Sequence, residues 1–231
     1  MFGDYARQRI RRAVERHPSP ITSVRVRVTD HHDTAAADPF VAQVDIATSR
    51  AIRVQVTGAS VPGVVDALQA RTRTRLQALA RSGPIAWERC GPQAPTLLFV
   101  RPTHQRTIMR TKAFRLHDHM AADAAVYITL MDYPFEMFHE PGAEAESLLY
   151  RTAHGDYRLT RLDPPPRAVI PGHLRITVDD APAPELNRRQ ALHRLSLSGS
   201  PFLFYRDPAL DRGCVLYHRY DGHYGLIVSR R

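Results

Sequence analysis

The chain has 231 residues, 43% of them hydrophobic and 24% charged, too long for one small core and too apolar for wholesale disorder. No stretch approaches the roughly eighteen apolar residues of a membrane span, and the opening Asp4, Arg7, Arg9 and Arg11 do not read as a secretory signal. The net charge of +9 is uneven, +6 in residues 1–81 against −2 in residues 107–162, and points to a polyanion met by one module.

The first predicted helix runs from Asp4 to His17, with Ala6, Ile10, Ala13 and Val14 on one stripe and Pro18 behind it. Arg7 and Arg11 line that stripe; Arg9, Arg12 and Arg16 surround the rest. Val24, Val26 and Val28 alternate with Arg25 and Arg27, a half-buried strand with an arginine face. Two further alternations follow, Phe40 to Ile46 and Ile52 to Val56, joined by a hairpin connection at residues 48–50. A second helix over 61–81 buries Val61, Val65, Leu68, Thr72, Leu76 and Leu79, with Arg71 and Arg75 along one edge and Arg73 along the other. The module reads α-β-β-β-α. Residues 83–106 hold four prolines and read as a linker.

An internal repeat fills the remainder. A shift of 67 positions aligns Pro134, Phe135, Pro141, Leu149, Tyr150, Gly155, Tyr157 and Leu159 with Pro201, Phe202, Pro208, Leu216, Tyr217, Gly222, Tyr224 and Leu226, all identical and without a gap. Each copy reads as an extended segment, a helix and three strands, with helices at Ala121–Met131 in copy A and Glu185–Ser196 in copy B. Asp221-Gly222 between strand residues is a hairpin signal. Phe202 to Tyr205 and Cys214 to Tyr217 are apolar at consecutive positions, so these strands are covered on both faces. One helix covers one face, and the other copy is the nearest partner for the second. The expected copy–copy interface is Phe135, Met137, Leu148 and Tyr150 against Phe202, Phe204, Val215 and Tyr217. The fold class is α+β, divided as 1–82, a linker at 83–106, copy A at 107–162 and copy B at 163–231.

The chemistry expected is binding. The candidate RNA-binding residues are Arg7, Arg11, Arg12, Arg16, Arg25, Arg27, Arg71, Arg73 and Arg75, each of which reads equally as part of a solvated face. Residues 1–81 hold only three aromatics, Phe2, Tyr5 and Phe40. That is too few for the stacking platforms of single-strand binders, which favours structured RNA held by its backbone. Tyr150, Tyr157, Tyr217 and Tyr224 suit packing better than RNA contact. Among twelve histidines, His31-His32, His117-x-His119 and His154-x-Asp156 lack zinc-site spacing and read as loop residues. No cofactor, metal or enzymatic activity is expected. Cys90 and Cys214 match no redox or metal motif, which suits a reducing, cytoplasmic setting.

Arg110 to Leu116, and Phe202 to Tyr205 followed by Val215-Leu216-Tyr217-His218-Arg219-Tyr220-Asp221-Gly222-His223-Tyr224-Gly225-Leu226-Ile227, resemble the C-terminal domain of long hibernation-promoting factors. Copy A retains Tyr150-Arg151, Gly155 and Tyr157 but not the Gly-Leu-Ile ending. Residues 1–81 resemble that family's N-terminal domain in element order, without the strand that precedes its first helix. The resemblance implies binding to the small ribosomal subunit and its rRNA near the decoding centre, with repression of translation. The tandem arrangement resembles the actinobacterial branch associated with dormancy. It leaves three readings: a monomer with an intramolecular pseudo-dimer that silences single ribosomes, a homodimer that pairs ribosomes, or a general nucleic-acid or transcription modulator.

Overall fold

The computed structural model describes residues 2–15, 20–31, 38–81, 101–152, 154–163, 175–219 and 221–230. The chain divides into two units, residues 1–93 with 129–133, and residues 94–128 with 134–231. Most of the linker strip, Trp87 and the Leu97–Val100 run included, lies outside the described residues, as do Pro18 and Pro164 to Pro166.

The first unit contains α1 (Phe2–Val14), β1 (Ser23–Asp30), β2 (Phe40–Ala47), β3 (Ala51–Gly58) and α2 (Val61–Arg81). The three strands form an antiparallel sheet in the order β1-β2-β3. Alternation sends Ala42, Val44 and Ile46 of β2 and Ile52 and Val54 of β3 to one face, where all are buried. Ala6, Ile10 and Ala13 of α1 and Val64, Val65, Leu68, Thr72 and Leu76 of α2 are buried with them. Thr48 closes the β2–β3 hairpin, its hydroxyl accepting from Arg50 N–H at 3.1 Å. The β3–α2 turn is tight: a Cβ on Gly58 would stand 3.1 Å from Val64 Cβ, so glycine lets the helix start directly above the sheet. β1 is an edge strand with Val24 39% exposed.

The second unit is an interlock of the two repeat copies. Copy A supplies β4 (Ile108–Arg115), α3 (Ala121–Met131), β5 (Phe135–Glu140), β6 (Ala145–Arg151) and β7 (Tyr157–Arg161). Copy B supplies β8 (Ile176–Val178), α4 (Arg188–Ser198), β9 (Phe202–Asp207), β10 (Arg212–His218) and β11 (Tyr224–Arg230). The sheets are β5-β6-β7-β8 and β4-β11-β10-β9. Each copy's first strand therefore leaves its own sheet and runs parallel to the last strand of the other, β8 along β7 and β4 along β11. The exchange is reciprocal, a pairing that the β-α-β-β-β order of each copy does not specify. Edge pairing is made by backbone groups, so the strand carries no side-chain signal for which edge it joins.

Helix α4 starts later than the apolar pattern suggests. Asn187 caps it, its side chain accepting from Gln190 N–H at 3.0 Å while Gln190 accepts from Asn187 N–H at 2.8 Å. That capping box leaves Glu185 extended, bridged to Arg206. Gly199 in the left-handed conformation (φ 64°) ends the helix.

Candidate RNA-binding arginines and the copy–copy seam

The arginines of the first unit do not share one surface. Arg7, Arg11 and Arg12 stand exposed on α1. Arg7 pairs with Asp4 at 2.8 Å and Arg11 with Glu15 at 3.2 Å, solvated helix contacts worth a few tenths of a kcal/mol, about what a phosphate readily displaces. Arg9 is engaged, 3.1 Å from Asp66 of α2 and over the Tyr5 ring. Arg25 and Arg27 are exposed on β1 but point away from the helices. The register sets Arg25 opposite Asp45 and Arg27 opposite Gln43, whereas Val24, Val26 and Val28 cross to Ile46, Val44 and Ala42. Arg73 is exposed on α2, and Arg16 lies outside the described residues.

Arg71 and Arg75 depart from the expected open edge. One turn apart, both donate to Asp132 Oδ1 at 2.7 Å, and that carboxylate is 3% exposed. Arg75 also donates to the Thr129 carbonyl and is 5% exposed. Two guanidiniums converging on one buried carboxylate are a structural ion triad, costly to break from either side. The helical periodicity of α2 separates their edge from that of Arg73 but does not mark it as buried; the partner comes from residues 129–133, far along the chain.

In the second unit the two sheets meet face to face. Met137, Leu148, Phe204 and Val215 are buried in one cluster, with Phe135, Tyr150 and Phe202 packed against it. The Phe135 and Phe202 ring centroids are 4.7 Å apart, Tyr150 and Phe202 5.3 Å, and Phe135 and Tyr217 6.3 Å. Tyr217 reaches this cluster through the Phe135 ring. The opposite face of copy B's sheet packs Tyr205, Cys214, Leu216, Tyr224 and Leu226 under Ala191 and Leu195 of α4. Residues related by the 67-residue shift meet across the seam, as in a two-fold dimer. Phe135 faces Phe202, and Glu146 faces Gly213, whose N–H donates to Glu146 Oε2 at 2.7 Å. The Ser229 hydroxyl donates to the same oxygen at 2.8 Å. A Cβ on Gly213 would lie 2.6 Å from that oxygen, so a side chain there would push the carboxylate of the other copy from its place.

The copies differ in their polar groups. Copy A buries a bidentate pair, Arg161 Nε and Nη2 to Glu140 at 2.7 and 2.8 Å; copy B has Val228 at the position of Arg161. Glu136 is half-buried, and desolvation pushes its carboxyl up to about 7. Burial, then the neighbouring Arg106 charge, holds the His218 imidazole down at about 4. Burial keeps the Cys214 thiol protonated, up to about 12, so it is a packing group and not a nucleophile.

Comparison with known proteins matches the two copies separately. The family described as Sigma 54 modulation/S30EA ribosomal protein C terminus aligns with residues 103–159 and 176–226. The two repeat copies are therefore tandem domains of this family, and the chain resembles the long hibernation-promoting-factor type. Among individual proteins it is similar to the dormancy associated translation inhibitor of Mycobacterium tuberculosis, from strains CDC 1551 / Oshkosh and ATCC 25618 / H37Rv. The identity is 29%, over 88% of this chain and 75% of the relative. Among the described residues no helix is long and apolar enough to cross a membrane.

Proposed function

We propose that this chain is a cytoplasmic, non-catalytic ribosome hibernation factor. It binds rRNA of the small subunit near the decoding centre through residues 1–82 and represses translation on single ribosomes. The carrying observation is the seam between copies: the surface on which two C-terminal domains would pair is filled from within one chain. Tethering sets an effective concentration near millimolar for that pairing, which outcompetes pairing between chains. The name of the mycobacterial relative supports translation inhibition, and the exposed Arg7, Arg11, Arg12 and Arg73, with Arg25 and Arg27 on the sheet, support phosphate contacts. Residues 83–106 serve as the linker, and 107–231 act as one paired body.

The test is a sucrose gradient of ribosomes mixed with the protein, together with light scattering of the free chain. The expected result is a monomer that cosediments with single ribosomes and lowers translation in a cell-free system. A stable homodimer with a ribosome-dimer peak would favour ribosome pairing, and sedimentation with DNA in place of ribosomes would favour the nucleic-acid modulator.

A further inference from the structure

We propose that His117, His119 and Glu136 form a binding site for a divalent transition-metal ion of the zinc class, built where β4 crosses from one copy's sheet to the other. This goes beyond ribosome binding and does not depend on it. One ligand atom from each of the three side chains lies within 4.8 Å of the other two. Ligand atoms around a tetrahedral ion with bonds of about 2.0–2.1 Å sit roughly 3.3 Å apart, so small side-chain rotations close the site.

The backbone holds the three in place. His117 and His119 are alternate residues of an extended segment and share a side. His139 N–H donates to the His117 carbonyl and His119 N–H to the His139 carbonyl, both at 3.0 Å. That lays the segment parallel to β5, the strand that carries Glu136. Among the described residues no group hydrogen-bonds the buried His119 Nε2, an unusual state for a ring nitrogen. Tyr127 flanks both imidazoles, with centroids 6.2 and 5.7 Å away.

The repeat supplies an internal control. At the equivalent positions copy B has Pro184, Leu186 and Leu203, and both leucines pack against its core. The same fold therefore closes this corner with two leucines, while copy A brings two imidazoles and a carboxylate to it. Two histidines and a glutamate suit zinc, leaving the fourth position to water or an added donor. A bound ion would staple the crossover segment to β5, one residue beyond Leu116, which packs into the seam.

The experiment uses the full chain after chelation, titrated with Zn2+ alone and, separately, with Co2+. Expected are one equivalent of Zn2+ at low-micromolar or tighter affinity, the visible absorption of four-coordinate Co2+, and a higher Tm with zinc. His119→Leu/Glu136→Leu, which installs the copy B residues, should keep the circular dichroism spectrum and weaken zinc binding at least tenfold. His117→Ala, at an exposed position, should weaken it as well. No stoichiometric binding by the wild-type chain, or equal binding by both variants, would overturn the proposal.

Discussion

Truncating Phe202 tests the seam directly. Its ring touches Phe135 and Tyr150 at centroid distances of 4.7 and 5.3 Å, and both partners come from copy A. A fully buried Phe→Ala change costs about 3–5 kcal/mol. Phe202 is half-buried, which places Phe202→Ala at the lower end, near ~3 kcal/mol. For a cooperative unit of this size that corresponds to a Tm lower by roughly 10 °C. Phe135→Ala should cost a similar amount, because its ring faces Phe202 and Tyr217. The double variant should then cost less than the sum, by about 1 kcal/mol, since the Phe135–Phe202 contact is counted twice. Differential scanning calorimetry and urea unfolding of the full chain give the cycle. Strict additivity, or a Tm for Phe202→Ala within error of the parent, would show that the rings do not meet in solution and would remove the basis for an intrachain pair.

Four further outcomes follow from single features. Arg161→Val, the residue copy B carries, leaves Glu140 buried without its partner and should cost about 3–5 kcal/mol; Glu140→Leu/Arg161→Val should recover most of it, as measured by urea midpoints. Gly225→Ala should lower Tm by several degrees, because its Cβ would stand 2.2 Å from Tyr217 Cζ, and a variant as stable as the parent would rule out that approach. His218 is held at about 4 in the fold against about 6.5 unfolded. The unfolded chain therefore binds the extra proton first, stability should be full above pH 6.5 and decline from there toward pH 4, and His218→Gln should flatten that decline in urea midpoints. Replacing Arg7, Arg11, Arg12 and Arg73 with Glu should abolish ribosome cosedimentation with an unchanged circular dichroism spectrum. The parent's affinity should fall about a hundredfold or more between roughly 50 and 200 mM salt. Arg71 and Arg75 are unsuitable for that test, because their charge is matched to buried Asp132.

The parts of this molecule that were legible in the sequence are those written in side chains. The alternation of β2 and β3, the stripe of α2 and the two-faced apolar strands of the repeat each follow from which residues must leave water, and their partners are local or related by the repeat. Two features were not legible, for one shared reason: a partner distant in sequence. Asp132 takes Arg71 and Arg75, one edge of α2, out of the exposed set to which Arg73 belongs. Glu136 reaches the His117-x-His119 pair from the neighbouring strand. The start of α4 is a milder case, where Asn187-x-x-Gln190 was a readable cap that the apolar pattern overrode.

Strand exchange bears most on function. β4 is exposed along nearly its whole length, so its hydrophobic pattern specifies no face and its place is fixed by backbone pairing with β11 through the register Gly225–Arg110 to Arg230–Arg115. The apolar seam alone could form between two chains as well as within one. Reciprocal exchange adds a constraint, because separating the copies also strips β4 from β11 and β8 from β7, seven and three paired positions respectively. Opening the seam to admit a second chain must therefore break two sheets together with the aromatic cluster. A seam guarded in that way supports the proposed action on single ribosomes over a reversible ribosome-to-ribosome contact. The exchange can be read separately from the seam by native-state hydrogen exchange. Amides of β4 and β8 should be protected to the same level as those of the Phe135–Phe202 cluster, within about a factor of ten in protection, if the two open as one cooperative unit. Fast exchange confined to β4 and β8, with the cluster still protected, would show strands that detach on their own and a seam free to change partners.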